Sequence, residues 1–432
     1  MKRQTLDAEQ QHVGKFFDGT PRPLEISETI LLCLFVATYP FSWQWALYVG
    51  AAVLVNAVAR MICYRSFGNH YSKLAKAAII MFPALYVVYL TSMAYSSNTA
   101  DGWETLFHKL PMVLFPTYFL CAGLQYLSKR RLRLIGYAFA LSCTAVALAN
   151  IVGDLYKVAF QGAAGSIFYG AHKFTAHHTY NAMYFLFSMA FLYIDNKHYR
   201  NVLPNWWRIV CNVCTAFLIA VTWFVGSRSG ILILIFLVLW FLYDVTFGNG
   251  HKKAGVWLTG GVALALAATL FAGQGAHNRL GATLRDATSG EQEDIRYEIW
   301  GNAMQVIGDN LALGVGVGDR IDALKDNHAR NYADTRWHNY NPHNQFLDAW
   351  VSAGLAAFLL TLAVFILPAI YVFREKPFFS LLLVFVTIAF VTSLVESVLE
   401  RQMGIMFFCF GCCLLLLPQS RPAAANSAPA KK

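Results

Sequence analysis

The feature that most constrains this chain is a series of twelve apolar stretches, each 16 to 23 residues long, set apart by polar turns. They fall at about 26–41, 44–61, 75–95, 110–127, 134–156, 179–195, 209–225, 231–247, 254–272, 350–372, 377–395 and 402–417. A helix needs roughly 20 apolar residues to cross a hydrocarbon core, and the shorter stretches can be completed by interfacial Tyr and Trp. The expected fold is therefore an all-α integral membrane protein with about 12 transmembrane helices. Composition agrees. Of 432 residues 57% are hydrophobic and 13% charged, against about a quarter charged in a soluble domain. Disordered, collagenous and disulfide-scaffold classes are excluded on the same grounds. Eight of the nine cysteines lie in apolar runs, where a free thiol behaves as a small buried hydrophobe. The Cys211-x-x-Cys214 spacing stands alone, without a second pair.

The net charge of +10 reads as topology, not as a nucleic-acid partner. With the N-terminus inside, the internal loops hold Arg60, Arg65 and Lys73, then Lys129, Arg130, Arg131 and Arg133, then Lys197, Arg200 and Arg208. The opposite short loops contribute far fewer. That asymmetry follows the positive-inside rule and places both termini in the cytoplasm. Residues 1–24 are polar and lack the apolar core of a cleavable signal peptide. The expected layout is a cytoplasmic segment 1–24, helices one to nine over 25–272, an external loop domain over 273–349, helices ten to twelve over 350–418, and a disordered cytoplasmic tail over 419–432.

The external loop is long enough to be functional, and its content argues for order. Ser289 and Gln292 have capping-box spacing, and Ile295, Ile299, Ala303 and Val306 recur at helical spacing, giving a partly helical domain. Its seven basic and eleven acidic residues mostly read as a solvated surface. Arg296 stands out, one turn before Trp300 on that helix, as a planar donor for phosphate or as a snorkelling interfacial arginine. Arg228 sits in the short turn Gly226-Ser227-Arg228-Ser229-Gly230 between two apolar helices. A charge so near hydrocarbon is a functional candidate by default.

The third element is His338-Asn339-Tyr340-Asn341-Pro342-His343-Asn344-Gln345-Phe346-Leu347. Asn341 as N-cap and Pro342 at the first helical position put His343 in the first helical turn. The positive helix end favours the neutral imidazole, which can act as general base. His338 belongs to the preceding loop. The pair lacks HExxH spacing and a carboxylate cluster, so no zinc site is expected. His177 and His178 open the sixth stretch at the external face, as cavity-lining groups or polar end-caps. Gly314-Val315-Gly316-Val317-Gly318 lacks the strand–turn–helix context of a nucleotide loop and reads as a flexible turn. Glu396 and Glu400, with Arg401 beside them, are placed to orient a catalytic Arg or His, or simply to pair with one.

In order and placement these motifs resemble the O-antigen ligase/O-antigen polymerase superfamily: the GSRSG turn, the Arg296-x-x-x-Trp300 helix, the Gly-x-Gly-x-Gly turn and the Pro342-His343-Asn344-Gln345-Phe346-Leu347 helix start. The resemblance covers roughly residues 220–400 by motif. It implies a GT-C-like glycosyltransferase that needs no metal or other cofactor and takes its glycan from a polyprenyl diphosphate. The single large loop is most similar to the ligase branch, which joins O-antigen from undecaprenyl diphosphate to lipid A–core oligosaccharide at the periplasmic face of the bacterial inner membrane. Carried over by position, His343 is the base, with His338 as the alternative, and Arg228 and Arg296 bind the diphosphate. Substrate contacts are also expected from Arg285, Ser227, Ser229, Asn344, His177, His178 and Glu396. A polymerase and a protein O-oligosaccharyltransferase are rivals within the superfamily. A twelve-helix secondary transporter shares the topology but predicts charged or glycine-broken residues at mid-span; here the notable Arg, His and Glu residues gather at one boundary.

Overall fold

The computed structural model describes residues 22–161, 178–225, 227–248, 295–331, 341–375 and 381–417. Among them every regular element is a helix. The first half holds α1 (Pro23–Thr38), α2 (Trp43–Tyr64), α3 (Lys73–Ser92), α4 (Thr99–Lys109), α5 (Pro111–Cys121), α6 (Lys129–Gln161) and α7 (His178–His198). The second holds α8 (Asn205–Val225), α9 (Arg228–Gly248), α10 (Ile295–Asp309), α11 (Arg320–Asn331), α12 (Gln345–Glu375), α13 (Leu381–Ser393) and α14 (Gln402–Leu416). Eleven of the twelve apolar stretches contain one of these helices. The ninth, 254–272, lies outside the described residues, as do the tail, most of the N-terminal segment, and Ser289 and Gln292.

Among the described residues, five helical stretches are long and apolar enough to cross a membrane: Trp43–Tyr64, Lys73–Tyr95, Lys129–Tyr156, Asn205–Trp223 and Gln345–Glu375. Their faces show which solvent they meet. On α2, Ala46, Gly50, Val53 and Ala57 are buried at helical spacing, and the missing side chain of Gly50 admits the Phe35 ring of α1. The opposite face exposes Trp45, Tyr48, Val55, Val58 and Ile62. An apolar outer face of that extent is stable against lipid, not water. The chain is a multi-pass membrane protein.

α7 is buried on all sides, without a break from Thr179 to Leu186, as expected of a central helix. Tyr184 meets Phe407 of α14 at 5.0 Å between ring centroids, and Phe385 of α13 meets Phe407 at 4.8 Å. A π-helical turn at Met406–Phe410 interrupts α14 where this aromatic core is densest. The fourth apolar stretch departs from a full span. α5 has 11 residues, about 16 Å of helix, roughly half a hydrocarbon core. It follows the amphipathic α4, whose start is capped by the Asn98 side chain accepting from the Asp101 N–H at 3.3 Å.

The glycine-rich turn at 314–318 is built, not flexible. Gly314 and Gly316 have φ of +70° and +99°, values that favour residues without a Cβ. The amides of Val315 and Gly316 donate to the carbonyls of Val351 and Ser352 at 2.9 and 3.0 Å. The next two, of Val317 and Gly318, donate to the hydroxyls of Ser92 and Ser96, each at 3.1 Å. Asp319 then accepts from the amides of Ser97 and Asn98 at 2.7 and 2.6 Å. Opposite this turn α12 breaks at Ala353–Gly354, where Gly354 has φ +71° and its amide lies against Gly314. The turn thus fixes the α3 end, the α11 start and the α12 kink to one another. Gly354→Ala would drive a Cβ into the Ala312 carbonyl and should cost about 1–3 kcal/mol, read as a lower thermal unfolding midpoint in detergent. Gly308→Ala on α10, which meets nothing within 4 Å, should leave the midpoint unchanged or higher.

Candidate active site

The site grows from the start of α12. His343 stands ahead of the helix, not in its first turn, with φ +46°. Its amide donates to the Asn341 side chain at 3.1 Å, an Asx turn that replaces the expected N-cap role of Asn341. Asn344 is the true cap: its side-chain oxygen accepts from the Phe346 and Leu347 amides at 2.9 and 3.2 Å. Its amide nitrogen donates to the Leu394 carbonyl at 3.1 Å. The turn ahead of the helix is held from the other side by Trp300, whose indole N–H donates to the Pro342 carbonyl at 3.0 Å.

The segment 394–401, between α13 and α14, supplies the partner. Nδ1 of His343 lies 3.4 Å from Oε2 of Glu396, with the two side chains 29% and 10% exposed. The ring is open enough to meet a substrate and the carboxylate is shielded enough to hold the ring. A hydrogen bond to Nδ1 fixes the tautomer whose lone pair is on Nε2, the arrangement a general base needs.

Arg320, Asp348 and Lys109, which the sequence did not mark, join Glu400, which it did, in bracing this segment. Arg320, at the start of α11, reaches both Asp348 oxygens at 3.0 Å and both oxygens of Glu400. Lys109, at the end of α4, donates to the Leu399 carbonyl at 2.8 Å and lies 3.4 Å from Glu400. Arg320, Asp348 and Lys109 are nearly inaccessible. Burial alone would raise the Glu400 carboxyl, but Arg320 and Lys109 overcome it and hold it well below the usual carboxylate range. Burial pushes the Lys109 ammonium down despite Glu400. Burial also works against Arg320, yet Asp348 and Glu400 carry it upward. Two cations face two carboxylates, so the cluster is balanced. One signal for it exists in the sequence: Asp348 is a lone acid in the apolar run Phe346–Val351, and such a residue needs a cation.

Of the remaining candidates, Arg296, His178, Arg228, Ser227 and Ser229 lie within the described residues. Arg296 lies on α10 one turn before Trp300 and is partly buried. Ile299, Ala303, Val306 and Ile307 bury the apolar face of that helix, as its spacing predicted. His178 opens α7, and six residues on Tyr184 donates to the Met403 carbonyl at 2.9 Å. α9 begins at Arg228 and packs on α7 where Gly230 faces Ala182. Ser227 and Ser229 are buried, and the Ser227 hydroxyl accepts the Gly230 amide at 3.4 Å, so it serves the helix start. His338, His177 and Arg285 lie outside the described residues. Among the described residues no three His, Cys, Asp or Glu side chains converge to hold a metal ion.

Removing one member of a buried ion cluster strands its partners. Arg320→Met should therefore lower stability by about 3–5 kcal/mol, measured by thermal or denaturant unfolding in detergent. Because the folded Glu400 carboxyl is depressed, its contribution is complete above the ordinary value of about 4.3 and fades as pH falls through the folded value. The difference in unfolding midpoint between wild type and Glu400→Gln should then be constant from pH 8 to about pH 5 and shrink only in stronger acid.

Comparison with known proteins adds one finding. Residues 213–362 match the family model described as O-antigen ligase. No curated protein matches the chain. The matched segment holds Arg228, Arg296, Arg320, His338 and His343, while Glu396, Glu400 and Lys109 lie beyond it. The likeness to the O-antigen ligase family is thus carried by residues 213–362.

Proposed function

We propose that the protein is a glycosyltransferase of the bacterial inner membrane. It moves O-antigen glycan from undecaprenyl diphosphate to a sugar hydroxyl of lipid A–core oligosaccharide at the periplasmic face. The observation that carries this reading is the His343–Glu396 pair, on a rigid mount within and beside the segment that matches the O-antigen ligase family.

In this mechanism Glu396 orients His343, and Nε2 takes the proton of the acceptor hydroxyl. The oxygen attacks the anomeric carbon, the bond from that carbon to the diphosphate oxygen breaks, and undecaprenyl diphosphate departs. The displacement inverts the anomeric centre. Arg228 and Arg296 stabilise charge growing on the leaving group, which arginines can do without a metal. The GT-C-like class, the absence of a cofactor and the cytoplasmic termini belong to the same proposal. So do the glycan contacts from Arg285, Ser227, Ser229, Asn344, His177 and His178, and a standby role for His338.

Purified protein mixed with undecaprenyl-diphosphate glycan and lipid A–core in detergent with EDTA should give a high-mass conjugate on a gel. A product that vanishes with EDTA overturns metal independence, and glycan extension without lipid A–core points to the polymerase branch. His343→Ala, Arg228→Ala and Arg296→Ala should each abolish transfer while the protein still inserts. Glu396→Gln should lower kcat on the order of a hundredfold with little change in KM. Full activity of His343→Ala would move the base to His338.

A further inference from the structure

Away from the His343–Glu396 pair, the bundle encloses a cavity of about 340 Å³ between α1, α6, α7, α13 and α14. Its walls are apolar, among them Leu132, Phe139, Phe187, Phe385, Phe407 and Leu414. Leu381 and Phe385 line it at the start of α13, whereas Glu396 follows the end of that helix. The 13 residues of α13 separate the two places by about 20 Å.

One end of the cavity is polar. Lys129 lines it and is exposed, and among the described residues no ion-pair partner of Lys129 is present. Arg133 beside it pairs with Asp195, Nε to Oδ1 at 2.6 Å, and covers the Tyr199 ring at 3.7 Å. Two cations against one carboxylate leave the mouth positive. From Lys129 to Phe139 the cavity follows ten residues of α6, about 15 Å. That is half of a hydrocarbon core of about 30 Å, the depth of one leaflet.

We infer that this cavity is a binding site for one acyl chain of an anionic glycerophospholipid, with the phosphate at Lys129 and Arg133. An apolar slot one leaflet deep with a net positive mouth matches a lipid tail and its charged head together. A chain held here would brace α6, α7 and α14 against each other beneath the aromatic core. The site is separate from the proposed glycan transfer and does not depend on it.

The test is photolabelling of the purified full-length protein with phosphatidylglycerol carrying a diazirine near the end of one acyl chain, followed by peptide mapping. Label should concentrate on α6 and α14 and be displaced by unlabelled phosphatidylglycerol better than by phosphatidylcholine. Lys129→Ala should weaken labelling roughly fivefold, and Leu414→Trp should remove it by filling the slot. If Leu414→Trp does not fold, Leu132→Trp on another wall makes the same comparison. His343→Ala should label like wild type, so failure of the transfer mechanism leaves this result intact. Label spread over outward faces such as α2 and unchanged in Lys129→Ala overturns the inference. Displacement by polyprenyl phosphate and not by phosphatidylglycerol overturns the phospholipid assignment.

Discussion

The candidate site depends on Arg320. A buried guanidinium is stable only when its donors find carboxylates in good geometry, and Arg320 finds two: Asp348 on α12 and Glu400 after α13. That single residue ties the loop domain to two parts of the bundle that are distant in sequence. Lys109 completes the charge balance from a fourth element. Because Glu400 is only four residues beyond Glu396, the cluster also fixes the segment that presents Glu396 to His343. An ion cluster of this kind adds little net stability over an apolar replacement. What it supplies is one defined geometry, and a histidine whose carboxylate partner sits 3.4 Å away requires that.

Much of this was legible in the sequence, and the misses have physical causes. Apolar stretches mark helices well because lipid admits little else, so eleven of the twelve contain a described helix. α10 was readable from its 3.6-residue period. The role of Glu396 as partner of a histidine was foreseen as one of two options. What failed was local chemistry with more than one solution. Asn341 and Asn344 are both good N-caps, and only the contact of Asn344 with Leu394 decides between them. The glycine turn looked flexible because glycine permits many conformations; it is fixed by serines and carbonyls from residues 92–98 and 351–352. Arg320 and Lys109 carry no mark in the sequence because their partners are 28 to 291 residues away, beyond any periodicity.

Charge balance also narrows which residues can meet a diphosphate. The carboxylates of Asp348 and Glu400 already neutralise Arg320 and Lys109, and all but the partly exposed Glu400 are buried. Under the proposed mechanism, a diphosphate at His343 needs cations from outside this cluster. Arg228 begins α9 and Arg296 lies in the first turn of α10, where backbone amides also point outward and favour an anion. The proposed division of labour follows from that arithmetic. In the proposed mechanism the paired charges set the position of His343, and Arg228 and Arg296, both at helix starts, meet the diphosphate.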